Sequence, residues 1–396
     1  MSARKDEDVT ALSAAADRAA GAGRVQEARE LLGRAVALAP GALNLWMNLA
    51  ACCRRLGDPS AALAAVDKAL EIEPRAYVAL LLKASLMEQL GAPHQAGAAF
   101  GIALTQVPPL ETLPPPLRAA TEHARQAHAR YQEALAAALK DTVGTSPATS
   151  GPAARRLEAF IDRLAGKRRV FHQEPVQFNY PGLPEIEFYD REEFPCFAEL
   201  EAATADITAE LVGVLEDDAD ELEPYIDYPA NIPLDQWAEL NRSPRWSSYH
   251  LLREGLPVEA HCRRCPRTTE AIARLPQPHV ARRSPAAMFS VLKPRTRIPP
   301  HHGVANTRLV LHLPLILPDG CGFRVGAETR SWKVGEAWVF DDTIEHEAWN
   351  DSDETRTILI CDVWNPRLSQ EERTLIAQVM AGMDAFSGEA PGGNDL

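Results

Sequence analysis

Three residues in one stretch of the chain, His301, His346 and Arg356, are of types that together could hold a metal ion beside an anion. Imidazole nitrogens are common ligands of first-row transition metals, and two of them on facing strands leave positions open on the metal. A guanidinium offers a carboxylate two parallel hydrogen bonds. His301 follows Pro299-Pro300, which stiffens its approach, and His346 comes 45 residues later, after a hydrophobic strand ending at Phe340. Arg356 lies in the run TRTILIC, sharing one side of a strand with Ile358 and Ile360. The set suits an iron(II) oxygenase, which needs two or three ligands on one face of the metal. Such an enzyme also needs room for a chelating keto acid and dioxygen, and a cation for the keto acid's distal carboxylate.

Against this stands the missing third ligand. A facial triad carries a carboxylate two residues after the first histidine, and that position is Gly303. Asp341 and Asp342 precede His346, but they fall at a turn, where capping or a hydrogen bond to a histidine is the ordinary task. Spacing alone therefore leaves two readings open: a metal site at His301 and His346, or two unrelated pocket or core histidines.

The elements that must position these residues follow from the alternation between Phe289 and Pro366. Leu309, Leu311, Leu313 and Leu315 fall on one face of a strand, with Arg308, Val310 and His312 on the other. That is the pattern of a sheet buried on both sides and polar toward a pocket. Turn signals at Pro318-Asp319-Gly320, Gly326 and Gly335 separate such strands and predict an antiparallel barrel or jelly roll.

The whole chain of 396 residues, 46% hydrophobic, is long enough for more than one core, and two domains are expected. A formal net charge of −14 argues against a general binder of nucleic acid or anionic membrane. The arginines at 263–264, 282–283 and 295–297 read as a solvated rim. With neither an apolar leader at the start nor any run of about 18 uncharged apolar residues, no membrane span and a cytoplasmic location are expected. Seven cysteines, an odd number scattered over a long chain, do not read as a disulfide framework. Cys262 and Cys265 have ligand spacing, yet no second pair completes a zinc site, so reduced, non-ligating thiols are expected.

Before the strands comes a repeat. On a period of 34, Gly23, Gly57 and Gly91 align, as do Ala28, Ala62 and Ala96, Ala35, Ala69 and Ala103, and Pro40, Pro74 and Pro108. This resembles the tetratricopeptide repeat, which implies three helix pairs stacked in a solenoid whose concave face takes a peptide or protein partner. Most of Trp46, Leu49, Leu63 and Leu80 read as core between helices. The expected domains are residues 1–140 for the helical repeats and a capping helix, 141–151 for a linker, 152–386 for the strand domain, and 387–396 for a disordered tail. Within the third, an amphipathic helix over 199–215 covers the sheet, and the acidic cluster 217–223 reads as a solvated loop. Ser369 and Glu372 form a capping box for a last helix. Trp246 reads as either core or pocket wall.

The runs PHHGVANTRL, HLPLILPDGCGFRVGAETRSWKVGEAWVFDDTIEHEAWNDSDETR and DVWNP resemble the aspartyl/asparaginyl β-hydroxylase family of 2-oxoglutarate-dependent oxygenases. Tetratricopeptide repeats also precede the oxygenase domain in that family. The resemblance implies a multidomain α + β chain, an all-α repeat solenoid followed by a double-stranded β-helix, or jelly roll. It implies iron held by His301 and His346 without a carboxylate, so Gly303 agrees with the pattern. It further implies 2-oxoglutarate held by Arg356 and Ser290, with Trp246, His312 and Arg308 around the same pocket, and dioxygen as the other co-substrate. The implied reaction is hydroxylation of an unactivated carbon, the β-carbon of an Asp- or Asn-type residue in a protein or peptide. The alternatives are a small-molecule hydroxylase, acting on a free amino acid or an acyl chain, and a repeat adaptor with an inactive barrel. One departure bears on the substrate: the animal enzyme has a second arginine where this chain has Val310.

Overall fold

The computed structural model describes residues 2–144 and 151–387 and divides the chain into two compact units, 1–168 and 169–396. The first is all helical. Its pairs are α1 (Ser2–Gly21) with α2 (Val25–Leu38), α3 (Leu43–Arg55) with α4 (Pro59–Ile72), and α5 (Tyr77–Gln89) with α6 (Pro93–Leu104). Gly23, Gly57 and Gly91 turn each pair at φ of 78°, 74° and 77°, a conformation that costs glycine little and other residues more. The repeated alanines Ala28, Ala62, Ala96, Ala35, Ala69 and Ala103 are all buried, so the small side chains let each pair pack closely. Trp46 and Leu49 pack into the seams between successive repeats, as core residues do.

α7 (Pro115–Val143) closes the stack over Phe100 and Leu81, and α8 (Gly151–Leu164) follows. The expected boundary at 141–151 is corrected here. Leu157 and Ile161 of α8 pack on Leu135, Ala136 and Leu139 of α7, so the division falls after Arg168. Amphipathic spacing had fixed α8 as a helix but not which core it serves. Of the expected linker, residues 145–150 lie outside the described residues, as do 388–396 of the expected tail.

The second unit begins with irregular chain and then α9 (Phe197–Ala202) and α10 (Thr204–Asp217). One helix was expected over 199–215. It breaks at Ala203, where the Thr204 hydroxyl donates to the Glu201 carbonyl at 2.7 Å. The strands and remaining helices are β1 (Glu223–Pro224), β2 (Trp246–Arg253), β3 (Leu256–Pro257), α11 (Glu259–Arg264), α12 (Pro266–Ile272) and β4 (Ala287–Leu292). Then come β5 (Thr296–His301), β6 (Arg308–Ile316), β7 (Cys321–Val325), β8 (Glu328–Arg330), β9 (Trp338–Phe340), β10 (His346–Asn350), β11 (Arg356–Trp364) and α13 (Gln370–Ser387). One antiparallel sheet runs β1-β2-β4-β11-β6-β9, with β3 beside β2, and the other runs β5-β10-β7-β8. From β4 onward the chain passes from one sheet to the other and back. The order β4-β11-β6-β9 against β5-β10-β7-β8 is the winding of a jelly roll.

Each face of the large sheet has its own apolar layer. Leu309, Leu311, Leu313 and Leu315 of β6 pack outward with Leu359, Cys361 and Val363 of β11 beneath Leu200, Ile207, Leu211 and Val214 of α9 and α10. Val310 and Ile358 face inward with Phe323, Phe340, Ile298 and Trp246. The outer layer holds β6 and β11 flat against the helices, and the inner layer lines the space between the sheets. The acidic segment is more than a solvated loop, since Asp217 and Asp218 both accept from Arg264, at 2.8 and 2.7 Å. The capping box forms, with Ser369 N donating to Glu372 at 2.8 Å and Glu372 N to Ser369 at 3.2 Å.

Leu211→Ala should cost the second unit about 2–5 kcal/mol, because the cavity it leaves lies between a helix and a two-sided sheet that cannot collapse into it. Unfolding followed by tryptophan fluorescence reads this unit, since every tryptophan except Trp46 lies within it. A loss below about 1 kcal/mol would contradict the packing described.

Candidate active site

His301 ends β5 and His346 begins β10, and the two are direct partners in the antiparallel ladder. That register brings the ring centroids to 4.0 Å. Each Nδ1 is spoken for: His301 Nδ1 meets the Pro299 carbonyl at 2.7 Å and His346 Nδ1 the Ile344 carbonyl at 3.1 Å. A carbonyl only accepts, so Nδ1 carries the proton in both rings and Nε2 keeps its lone pair. Burial lowers both pKa values, that of His346 to about 4, and the neighbouring imidazole lowers His301 further. Both rings are therefore neutral near pH 7, the form that ligates.

Arg356, at the start of β11, is 1% exposed and faces the same space. It stacks over the Trp332 ring at 4.8 Å, while its Nε and Nη1 have no hydrogen-bond partner. Burial with no carboxylate to offset it lowers its pKa to about 10. An isolated buried cation is costly, and an anion within reach would offset that cost. Ser290 stands across the ladder from Ile358, two residues along from Arg356, and accepts from Trp246 Nε1 at 3.1 Å. His312 lies within 4.8 Å of the Phe340 ring and has an unpartnered Nδ1. Its pKa is well below the ordinary value, through burial first and the Arg356 charge second.

Arg308 opens β6 and is buried between two carboxylates, Nη1 lying 3.0 Å from Asp342 Oδ2 and 3.4 Å from Asp362 Oδ1. Burial works against the guanidinium charge, and the two carboxylates more than offset it. Asp342 also explains Gly303. A Cβ at position 303 would come within 2.0 Å of Asp342 Oδ2, so the place where a third ligand would branch, just after β5, is already filled from the turn between β9 and β10. Asp341 caps its own turn through Thr343 N at 3.0 Å.

All seven residues singled out from the sequence, His301, His346, Arg356, Ser290, His312, Trp246 and Arg308, line one cavity of about 470 Å³. Trp246 is pocket wall, stacked on Tyr225 at 3.8 Å. His302 lies at the rim, 3.9 Å from Glu174. Sequence reasoning missed Trp237, edge-on to His301 at 5.1 Å from a single turn of 3-10 helix, and Tyr225, just after the two-residue strand β1, segments too short to show a periodicity. It also missed Trp332 beneath Arg356 and the pairing of Asp342 and Asp362 with Arg308, contacts made across the fold. Among the described residues no group of three or more His, Cys, Asp or Glu side chains is arranged to hold a metal, so a metal here would rest on two imidazoles.

Two sheets wound as a jelly roll around a pair of facing histidines and a buried arginine describe an oxygenase-like barrel, and comparison with known proteins gives the family. The family model described as "Aspartyl/Asparaginyl beta-hydroxylase" matches residues 201–366, and a tetratricopeptide-repeat model matches 19–101. The ornithine lipid ester-linked acyl 2-hydroxylase of Rhizobium tropici is 33% identical over 214 residues, 52% of this chain and 72% of that protein. Human aspartyl/asparaginyl beta-hydroxylase is 37% identical over 129 residues, 32% of this chain but only 17% of the human protein. Human aspartate beta-hydroxylase domain-containing protein 2 is 30% identical over 218 residues, 53% of this chain and 55% of that protein. The chain belongs to the aspartyl/asparaginyl β-hydroxylase family.

The lowered histidine pKa values make stability depend on pH. Unfolded, these imidazoles take up a proton near pH 6.5; folded, His346 does so only at about 4, and His301 and His312 are also depressed. In that interval the unfolded chain binds more protons, so the contribution is complete above about pH 6.5 and falls as pH drops toward 4, by about 1.4 kcal/mol per pH unit for each ring. His312→Gln should lessen the slope of unfolding free energy between about pH 4.5 and 6 by close to one proton. An unchanged slope would remove His312 from this account.

Proposed function

We propose that this chain is an iron(II)- and 2-oxoglutarate-dependent oxygenase that hydroxylates an unactivated carbon, the β-carbon of an Asp- or Asn-type residue in a protein or peptide. The observation that carries the proposal is Arg356, a buried guanidinium whose Nε and Nη1 have no hydrogen-bond partner, lining the same cavity as two neutral imidazoles held through Nδ1. His301 and His346 would hold the iron, and the donor set suits it: two nitrogens, no thiolate, and the third ligand position closed by Asp342 at Gly303. Arg356 and the Ser290 hydroxyl would hold the distal carboxylate of 2-oxoglutarate. Iron and 2-oxoglutarate, when bound, supply the activation of dioxygen that oxidation of a C–H bond requires.

The chain's own part is placement and exclusion of water. The carbonyls of Pro299 and Ile344 fix the two rings through Nδ1, so neither turns away from the cavity. Trp246, Phe323 and Phe340 wall the space with apolar surface, which strengthens the attraction between Arg356 and a carboxylate. Ser290 keeps a fixed orientation because the Trp246 indole donates to its oxygen, leaving its proton for an acceptor in the cavity. The repeats of the first unit would recruit the substrate or a partner protein.

A second reading, hydroxylation of an acyl chain, is favoured by the Rhizobium tropici relative, whose name records that activity and 72% of whose length is matched.

His301→Ala and His346→Ala should each abolish iron-dependent release of succinate from 2-oxoglutarate. Turnover retained in both would reject the ligand pair. Arg356→Gln should weaken 2-oxoglutarate binding to the zinc-substituted protein at least about thirtyfold, the effect of leaving a buried carboxylate without its cation. Titration calorimetry reads this directly, and unchanged affinity would move the carboxylate site elsewhere.

A further inference from the structure

Beside the first cavity lies a second of about 630 Å³, and the two share the walls Tyr225, Ile226, Val304 and Arg308. Arg308 therefore stands where the two cavities adjoin, the place termed the neck. Of the ion pair it makes there, only half is used. Arg308 Nη1 serves both Asp342 Oδ2 and Asp362 Oδ1, whereas Arg308 Nη2 and Asp342 Oδ1 are buried without any partner. The two atoms belong to one ion pair that lines the first cavity, so that pair leaves one donor and one acceptor unsatisfied.

Charge decides what can fill them. Arg308 is matched by two carboxylates, and whether one or both are ionised the trio has no positive charge to spare. The next residue of β6 on that face is Val310, across the ladder from Asp362 on one side and Phe340 on the other, so no second cation stands there. A substrate carboxylate at the neck would be a third acid around one guanidinium, and would leave Asp342 Oδ1 facing like charge. A carboxamide has the right complement: its N–H donates to Asp342 Oδ1 and its C=O accepts from Arg308 Nη2.

We propose that the neck between the two cavities is a subsite for an uncharged carboxamide, so that this chain selects an amide-bearing substrate segment over an acidic one. The proposal rests on the oxygenase reading for the cavity beyond the neck. It narrows the substrate class from acid or amide to amide, whether the amide comes from a peptide side chain or an N-acyl chain.

The test uses the full chain, zinc in place of iron, saturated with 2-oxoglutarate so that Arg356 is occupied. Hexanamide and hexanoate, which share a carbon skeleton, are titrated by saturation-transfer NMR. Hexanamide should bind at least about tenfold more tightly, the effect of pairing rather than stranding buried polar groups. Asp342→Asn, which removes the negative charge and one acceptor, should shrink that ratio; should the variant fail to fold, the wild-type ratio decides alone. N-acetyl-asparagine N-methylamide against its aspartate counterpart distinguishes the sources. A preference for the asparagine compound assigns the amide to a peptide side chain, and a preference confined to hexanamide assigns it to an acyl amide. Equal or tighter binding of hexanoate with 2-oxoglutarate bound overturns the subsite alone. No signal from 2-oxoglutarate itself overturns the oxygenase reading and the subsite with it.

Discussion

A charged side chain with no counter-ion in a protein interior has to be held there by everything around it, and Arg356 is that group in this fold. Water would solvate a guanidinium far better than an apolar cavity does, so each element near it must make retreat to the surface more costly than staying. Strand β11 is paired on both sides, to β4 over residues 356–361 and to β6 over residues 357–364, and cannot shift without breaking two ladders. Its alternate residues Leu359, Cys361 and Val363 are locked into the layer beneath α9 and α10. Trp332 gives the cation one favourable face. The fold thus carries a local cost that an anionic ligand would offset, and that cost locates the pocket more sharply than its volume does.

The same sheet geometry explains the histidines. Two imidazoles meet at a ring distance of 4.0 Å because their residues are ladder partners at the ends of adjacent strands. A slip of one residue between β5 and β10 would turn one of them out of the cavity. The bulge just beyond, between His346 and Ala348, shifts the register, and Trp349 continues opposite Arg297. Position in the ladder, together with the two carbonyls that hold Nδ1, fixes both rings without help from a helix.

How much of this could be read in advance followed from range. Leucine at every second position of β6 announced both the outer layer and the inward side of Arg308, Val310 and His312, since period two is a local property. Period 34 announced the buried alanines for the same reason. The boundary after Arg168 was not legible, because an amphipathic helix shows that it has a core face without showing whose core. Nor was Trp237, which reaches His301 from a single turn of 3-10 helix, or the sharing of Arg308 between Asp342 and Asp362. Those depend on strands distant in sequence, and no spacing in one strand reveals its neighbour.

Gly303 joins these levels. In sequence it reads as a missing ligand, and in the structure it is the one residue that lets Asp342 sit where it does. Any side chain there would displace Asp342, and Asp342 could not move without giving up Arg308, whose remaining carboxylate, Asp362, is also bound to Ala286 N at 2.8 Å. Arg308 would then be left with one partner at the neck between the two cavities. The residue two places after His301 is therefore coupled, through one carboxylate and one guanidinium, to the wall that the two cavities share. A carboxylate at position 303 would not simply add an acid beside His301; it would undo the charge balance around Arg308.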